Sequence, residues 1–196
     1  MSAAVCVVLL GPPGAGKSTQ GALLADRFGL RRIASGELLH EEVRAGTTLG
    51  RAVGGYMAAG DLVPDDLLVD VVTGAIAAAP AGVVLDGFPR RAAQARLADD
   101  VLGQLGWAVL AAIEFRVDPA AIRARLARRA AGGRFDDTPA VVEQRLRVGY
   151  PPADLLAHYR DRGLLHSVAA DRPVKDIAAE LVNIVARSPQ PGYGSR

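Results

Sequence analysis

Three short stretches of the chain are apolar at nearly every position: Ala3 to Leu10, Gly82 to Asp86, and Ala108 to Val117. Each is too short for a helix and is bounded by Gly or Pro, which predicts strands buried on both faces. Arg32 to Ala34 and Leu164 to Val168 predict two shorter strands. Between them the apolar positions recur at helical spacing. Ser18 to Phe28 sets Leu23, Leu24 and Phe28 on one face. Ser35 is a favourable N-cap for a helix through Leu38, Leu39 and Val43. Gly46 to Gly50 breaks that helix, and the next spans Arg51 to Ala59. After the Gly60–Pro64 turn, Asp65 or Asp66 caps a helix to about Ala79. Further helices are predicted over Arg91 to Leu105, from Asp118-Pro119 to Gly132-Gly133, from Thr138-Pro139 to the interruption at Tyr150-Pro-Pro152, and over Val174 to Val185. Strands alternating with helices predict an α/β fold with a parallel sheet covered on both faces.

Composition narrows the class. The chain has 196 residues, 50% apolar and 22% charged, which suits one packed domain and not a disordered chain. A single domain over 1–187 is expected, followed by a Pro-, Gly- and Ser-rich disordered tail over 188–196. No apolar run reaches the roughly 18–20 residues of a membrane span, and no secretory signal is visible. Cys6 is the single cysteine, which excludes a disulfide framework and a Cys-rich zinc site. A soluble, cytoplasmic protein without membrane partners is expected. The 23 basic residues face 21 acidic ones, giving a net charge of only +2, so a nucleic-acid partner is not expected. Of the basic residues only Lys17 and Lys175 are lysines.

Lys17 sits in Gly11-Pro-Pro-Gly-Ala-Gly-Lys-Ser18, a full match to the phosphate-binding loop G-x-x-x-x-G-K-S/T between a strand and a helix. Gly14 and Gly16 let the backbone approach a polyphosphate with its N–H groups turned inward. The helix that follows adds its positive N-terminal end. Lys17 supplies a point charge for the β- and γ-phosphates, and the Ser18 hydroxyl is a candidate Mg²⁺ ligand. Asp86 ends a buried strand and would reach the same sheet edge, where it can order the water around the metal.

Asp86 is followed by Gly87-Phe-Pro-Arg90 and then by Gln94. Together with Gly11 to Gln20, this segment resembles the adenylate kinases among the P-loop nucleoside monophosphate kinases. Ala34-Ser-Gly-Glu-Leu-Leu39, Gly60-Asp-Leu-Val-Pro64, Arg125-Leu-Ala-Arg-Arg129, Gly133-Arg-Phe-Asp-Asp137, Arg145-Leu146 and Asp171-Arg-Pro-Val174 resemble further segments of that family, in order. The resemblance implies a five-stranded P-loop fold of strand order 2-3-1-4-5, with a monophosphate-binding arm at about 34–63 and a short lid at about 129–136. It implies reversible, Mg²⁺-dependent transfer of the ATP γ-phosphoryl group to AMP, with no zinc in the lid. ATP would be held by Gly14, Ala15, Gly16, Lys17, Ser18, Thr19, Arg125 and Arg129. AMP would be held by Ser35, His40, Arg44, Asp61, Leu62, Val63, Gly87, Arg90, Gln94, Arg134 and Arg145. Lys17, Arg90, Arg129, Arg134 and Arg145 would stabilise the transferring group, and Ser18 and Asp86 would hold the metal. Small-molecule nucleotides are then the partners, and a monomer is expected.

The sequence departs from the family pattern in places. His40 stands where the family has an arginine that grips the monophosphate. A neutral imidazole offers one donor against five. Arg44, one helical turn later on the same face, is the alternative grip. One residue is missing between Arg129 and Arg134, and another around Gly149 to Ala153; these departures bear on AMP affinity and lid geometry and are expected to affect the ATP site little. Two other readings stay open: a kinase for UMP or CMP, and a nucleotide-binding homologue without turnover.

Overall fold

The computed structural model describes residues 5–131 and 139–188. These form a three-layer α/β domain. The chain runs β1 (Val5–Leu10), α1 (Lys17–Phe28), β2 (Arg31–Ala34), α2 (Ser35–Ala45), α3 (Thr48–Ala59), α4 (Asp65–Ala77), β3 (Gly82–Asp86) and α5 (Ala92–Gln104). It continues through β4 (Ala108–Arg116), α6 (Pro119–Ala131), α7 (Pro139–Gly149), α8 (Ala153–Arg160), β5 (Leu165–Ala169) and α9 (Val174–Arg187). The five strands form one parallel sheet in the order β2-β3-β1-β4-β5.

Alternation along the central strand divides the core. Cys6, Val8 and Leu10 point to the layer that contains Ile76, Ala98 and Tyr159, from α4, α5 and α8. Val7 and Leu9 point to the layer of Leu24, Ile177 and Leu181, from α1 and α9. Both faces of β1 and β3 are therefore covered, and every residue of these strands is buried. Their register pairs Leu9 with Asp86, so the C-terminal ends of both strands open on the same sheet edge. Ligands of open parallel sheets bind at that edge.

Three local expectations are corrected. Ser35 does not cap α2, because the helix starts one residue early with Ala34 at the cap position and no side-chain cap. The Ser35 hydroxyl instead donates to the Gly87 carbonyl at 2.9 Å. Neither Asp65 nor Asp66 caps α4. Pro64 holds the cap position, and the Asp65 carboxylate accepts from Arg91 and Gln94. Helix α3 begins at Thr48, three residues before the expected Arg51. Thr47 is its cap: the hydroxyl oxygen accepts from Gly50 N–H at 2.9 Å while its proton goes to Glu42 Oε2 at 2.5 Å. A threonine cap placed there offsets the helix-breaking tendency of the neighbouring glycines. The break after Tyr150 falls where two prolines predict it, between α7 and α8. The Gly132-Gly133 hinge, the Thr138 helix start and the tail beyond Ser188 lie outside the described residues.

Thr47→Ala removes the cap that starts α3 and loosens Glu42 on α2. It should destabilise the protein by about 1 kcal/mol, lowering Tm by roughly 2–4 °C. A thermal melt monitored by circular dichroism checks this.

Candidate active site

The loop Gly11–Gly16 joins β1 to α1 at the sheet edge. Gly16 precedes α1 in a left-handed conformation (φ 98°), which no side chain would favour there. Lys17 folds back over the loop, its Nζ donating to the Gly11 and Pro12 carbonyls at 2.7 and 2.8 Å. The loop lines one end of a cavity of about 550 Å³. The opposite wall is built by α2, the Gly60–Val63 turn, and the Gly87–Gln94 segment after β3.

Asp86 lies on the cavity floor and is 5% exposed. A buried carboxylate needs partners. Its Oδ2 accepts from the Ser18 hydroxyl at 2.7 Å and from Arg32 Nη1 at 3.3 Å. Ser18 and Asp86 thus set two hard oxygen donors side by side at the mouth of an anion-binding loop. That donor set fits Mg²⁺, which binds through one or two protein oxygens, water and substrate phosphates.

Arg32 was not singled out in the sequence. Its Nη2 also contacts both Glu37 carboxylate oxygens, at 2.6 Å each. Partial burial opposes its charge, but Glu37 and then Asp86 outweigh that and hold its pKa above the ordinary arginine value. Arg32 therefore ties the carboxylate at the metal end to the first turn of α2.

Arg90 anchors the other wall. Its Nε donates to the Gly87 carbonyl at 2.8 Å. Its backbone N–H donates to Gln94 Oε1 at 2.6 Å, and Gln94 Nε2 donates to Asp65 Oδ1 at 2.6 Å. Water reaches the Arg90 guanidinium from the cavity, while protein encloses it elsewhere. That enclosure lowers its pKa, Asp86 acts against the shift, and the nearby Arg145 cation adds to it. Arginine remains charged across the physiological range all the same. Arg125 bridges the phosphate loop and the residue after β5, with Nη2 on the Ala170 carbonyl at 2.8 Å and Nη1 on the Ala15 carbonyl at 3.5 Å. Cations so gathered make a cavity suited to phosphates.

A sequence model of the adenylate kinase family matches residues 9–164. The chain belongs to the adenylate kinase family. It is 42% identical over 182 residues to an adenylate kinase of Synechococcus sp. (strain CC9311), covering 92% of this chain and 98% of that one. It is 39% identical over 195 residues to one of Methylobacterium nodulans, covering 94% and 98%. It is likewise 39% identical over 175 residues to one of Thermobifida fusca, covering 87% and 93%. Family membership makes the protein a nucleoside monophosphate kinase, a phosphotransferase on the P-loop fold.

Most of the positions expected from the adenylate kinase family face the one cavity. Gly14, Gly16, Lys17, Ser18, Thr19 and Arg125 line the end at the phosphate loop. Ser35, His40, Asp61, Leu62, Val63, Gly87, Arg90, Gln94 and Arg145 line the other, with Asp86 between. Ala15 is buried beneath the loop and offers its carbonyl to Arg125. Arg44 does not line the cavity. It is exposed, and its Nε donates back to the His40 carbonyl at 3.4 Å. The side chain of Arg129 and all of Arg134 lie outside the described residues.

One expectation needs correction. The shortened segment after Arg145 does touch the ATP loop. Gly149, Tyr150 and Pro151 line the same cavity, and a Cβ on Gly149 would stand 2.5 Å from Pro13 Cδ. Only the missing side chain lets α7 lie that close. Leu68, an apolar residue of the opposite wall, was also missed, since its helical spacing reads as core. Gly149→Ala should therefore push the loop and raise the KM for ATP severalfold, with a smaller effect on the acceptor. Steady-state kinetics with each substrate varied in turn checks this.

Proposed function

We propose that the protein reversibly transfers the γ-phosphoryl group of ATP to AMP, giving two ADP, with the residues divided as follows. The observation that carries this reading is one cavity with a phosphate-binding loop at one end and the Arg90–Gln94 wall at the other. Two nucleotides would meet there end to end. The bond from the γ-phosphorus to the β-bridging oxygen of ATP breaks, and one forms to a phosphate oxygen of AMP. Little covalent work falls to the protein, so positioning and charge neutralisation dominate.

The loop amides and Lys17 would hold the ATP phosphates. Lys17 would leave its own loop carbonyls to reach them. Arg125 would steady the loop and the segment that follows β5. Ser18 and Asp86 would hold Mg²⁺, partly through water, and the bound ion would neutralise charge at the β- and γ-phosphates. Arg90, Arg145 and His40 would meet the AMP phosphate, with Arg129 and Arg134 brought in from the lid. Ser35, Leu62, Val63 and Gln94 would flank the AMP base, with Asp61 at the rim. The arm at about 34–63 and the lid at about 129–136 would close over the pair and exclude water. Since a single chain supplies both halves of the cavity, a monomer suffices, working in the cytoplasm.

The deciding experiment measures ADP formation from ATP and Mg²⁺ with AMP, UMP, CMP and GMP in parallel. Turnover with AMP far above the others is expected. Turnover mainly with another acceptor would change the substrate, and ATP binding with no turnover would overturn the reading.

His40 faces the cavity and Arg44 does not, so the two should differ on substitution. Arg44→Ala should change the KM for AMP by no more than about twofold, as surface substitutions do. Arg90→Ala should raise it roughly tenfold or more through loss of a charge-assisted phosphate contact. Initial-rate kinetics at saturating ATP distinguishes them.

A further inference from the structure

Gln94 is 2% exposed, and both ends of its amide are already spoken for. Its Oε1 accepts from the Arg90 backbone N–H at 2.6 Å, and its Nε2 donates to Asp65 Oδ1 at 2.6 Å. An amide side chain has nearly the same shape in its two orientations, but flipping it exchanges donor for acceptor. The partners here permit one orientation only. A backbone N–H can only donate, and an ionised carboxylate can only accept. A flipped Gln94 would face N–H with NH₂ and carboxylate with carbonyl oxygen. Asp65 Oδ1 also accepts from Arg91 Nη1 at 2.8 Å, a separate bond on the solvent side of the same carboxylate.

We infer that Asp65 is a specificity-determining positioning residue, which locks the Gln94 amide so that the acceptor pocket reads one pattern of donors and acceptors on the base. The inference rests on the AMP-acceptor reading above. After the two internal bonds, Gln94 retains one N–H and one oxygen lone pair, and it lines the cavity. The edge of adenine offers an amino donor beside a ring-nitrogen acceptor. The edge of hypoxanthine offers a carbonyl acceptor beside an N–H donor, the reverse order. A glutamine free to flip accommodates either edge. A clamped one rejects the reversed edge, because each mismatched group is left buried and unpaired. Asp65 touches no substrate in this account; it acts through Gln94.

The test compares AMP with inosine monophosphate as acceptors, at saturating ATP and Mg²⁺. The two differ only at the edge in question, and each takes the γ-phosphoryl group on a phosphate oxygen, giving ADP together with ADP or IDP. Asp65→Asn keeps the shape and replaces an acceptor-only group by an amide that can accept or donate, so a flipped Gln94 is no longer penalised at this end. The ratio of kcat/KM for AMP over inosine monophosphate should fall roughly tenfold, the scale of one misplaced hydrogen bond. The KM for ATP should hardly change. Arg91→Gln breaks the ion pair and spares the clamp, and should keep the wild-type ratio. A D65N enzyme that is active on AMP with an unchanged ratio overturns the inference, and so does an R91Q ratio that falls equally. Wild-type protein that turns over neither nucleotide overturns the acceptor reading instead. A readout independent of any variant is exchange of the Gln94 side-chain amide protons with water, followed by NMR on the wild-type protein. Slow exchange is expected, and exchange at the rate of a free glutamine would also overturn the clamp.

Discussion

A buried carboxylate must be satisfied, and Asp86 organises the site by being satisfied from two other elements. The strand pairing of β1 with β3 brings it beside the phosphate loop. Ser18 reaches it from the first turn of α1, and Arg32 reaches it from β2. Through Arg32 the same carboxylate is linked to Glu37 at the start of α2. The phosphate loop, Asp86 and the first turn of α2 are thus held in one network at the edge of the sheet. Contrast the Arg123–Glu143 pair, which joins α6 to α7 with both side chains about half exposed. It is screened by water and contributes little. The Asp86 network differs because its acid is out of water, so losing a partner there leaves an uncompensated charge.

The cavity also concentrates positive charge. Lys17, Arg90, Arg125 and Arg145 all line it. Enclosure by protein is the main reason the charged form of Arg90 is disfavoured; Asp86 acts against it, and the Arg145 cation adds a smaller push in the same direction as burial. A bound polyphosphate would offset both the enclosure and the repulsion. In the proposed reaction the same charges would stabilise the transferring group, since fixed cations need no reorganisation as charge shifts. Carbonyls of Gly11 and Pro12 accept from Lys17, and that of Gly87 accepts from Arg90.

What was legible in the sequence was chemistry carried by contiguous residues. The phosphate loop and the Gly87–Arg90 turn each occupy a few successive positions, and the apolar strand runs fix which edge they share. The strand order itself came from family resemblance and not from periodicity. Contacts between distant segments were not legible. Arg32 is one of many arginines, and nothing local marks it as the partner of an acid 54 positions away. Asp65 reads as a helix cap because its true partner, Gln94, is 29 positions on. Arg44 shares a helical face with His40, but one turn further along the axis carries it past the rim of the cavity. Gly149 reads as a helix end, and its contact with Pro13 exists only once α7 has packed over the loop.

In the proposed reaction one cavity holds donor and acceptor nucleotides end to end. A single molecule carrying two adenosines joined by five phosphates mimics both at once, and its binding, measured by calorimetry alone and against ATP or AMP, tests that arrangement. One molecule per chain is expected, with competition against both nucleotides. Two molecules per chain, or competition with ATP but not with AMP, would contradict it.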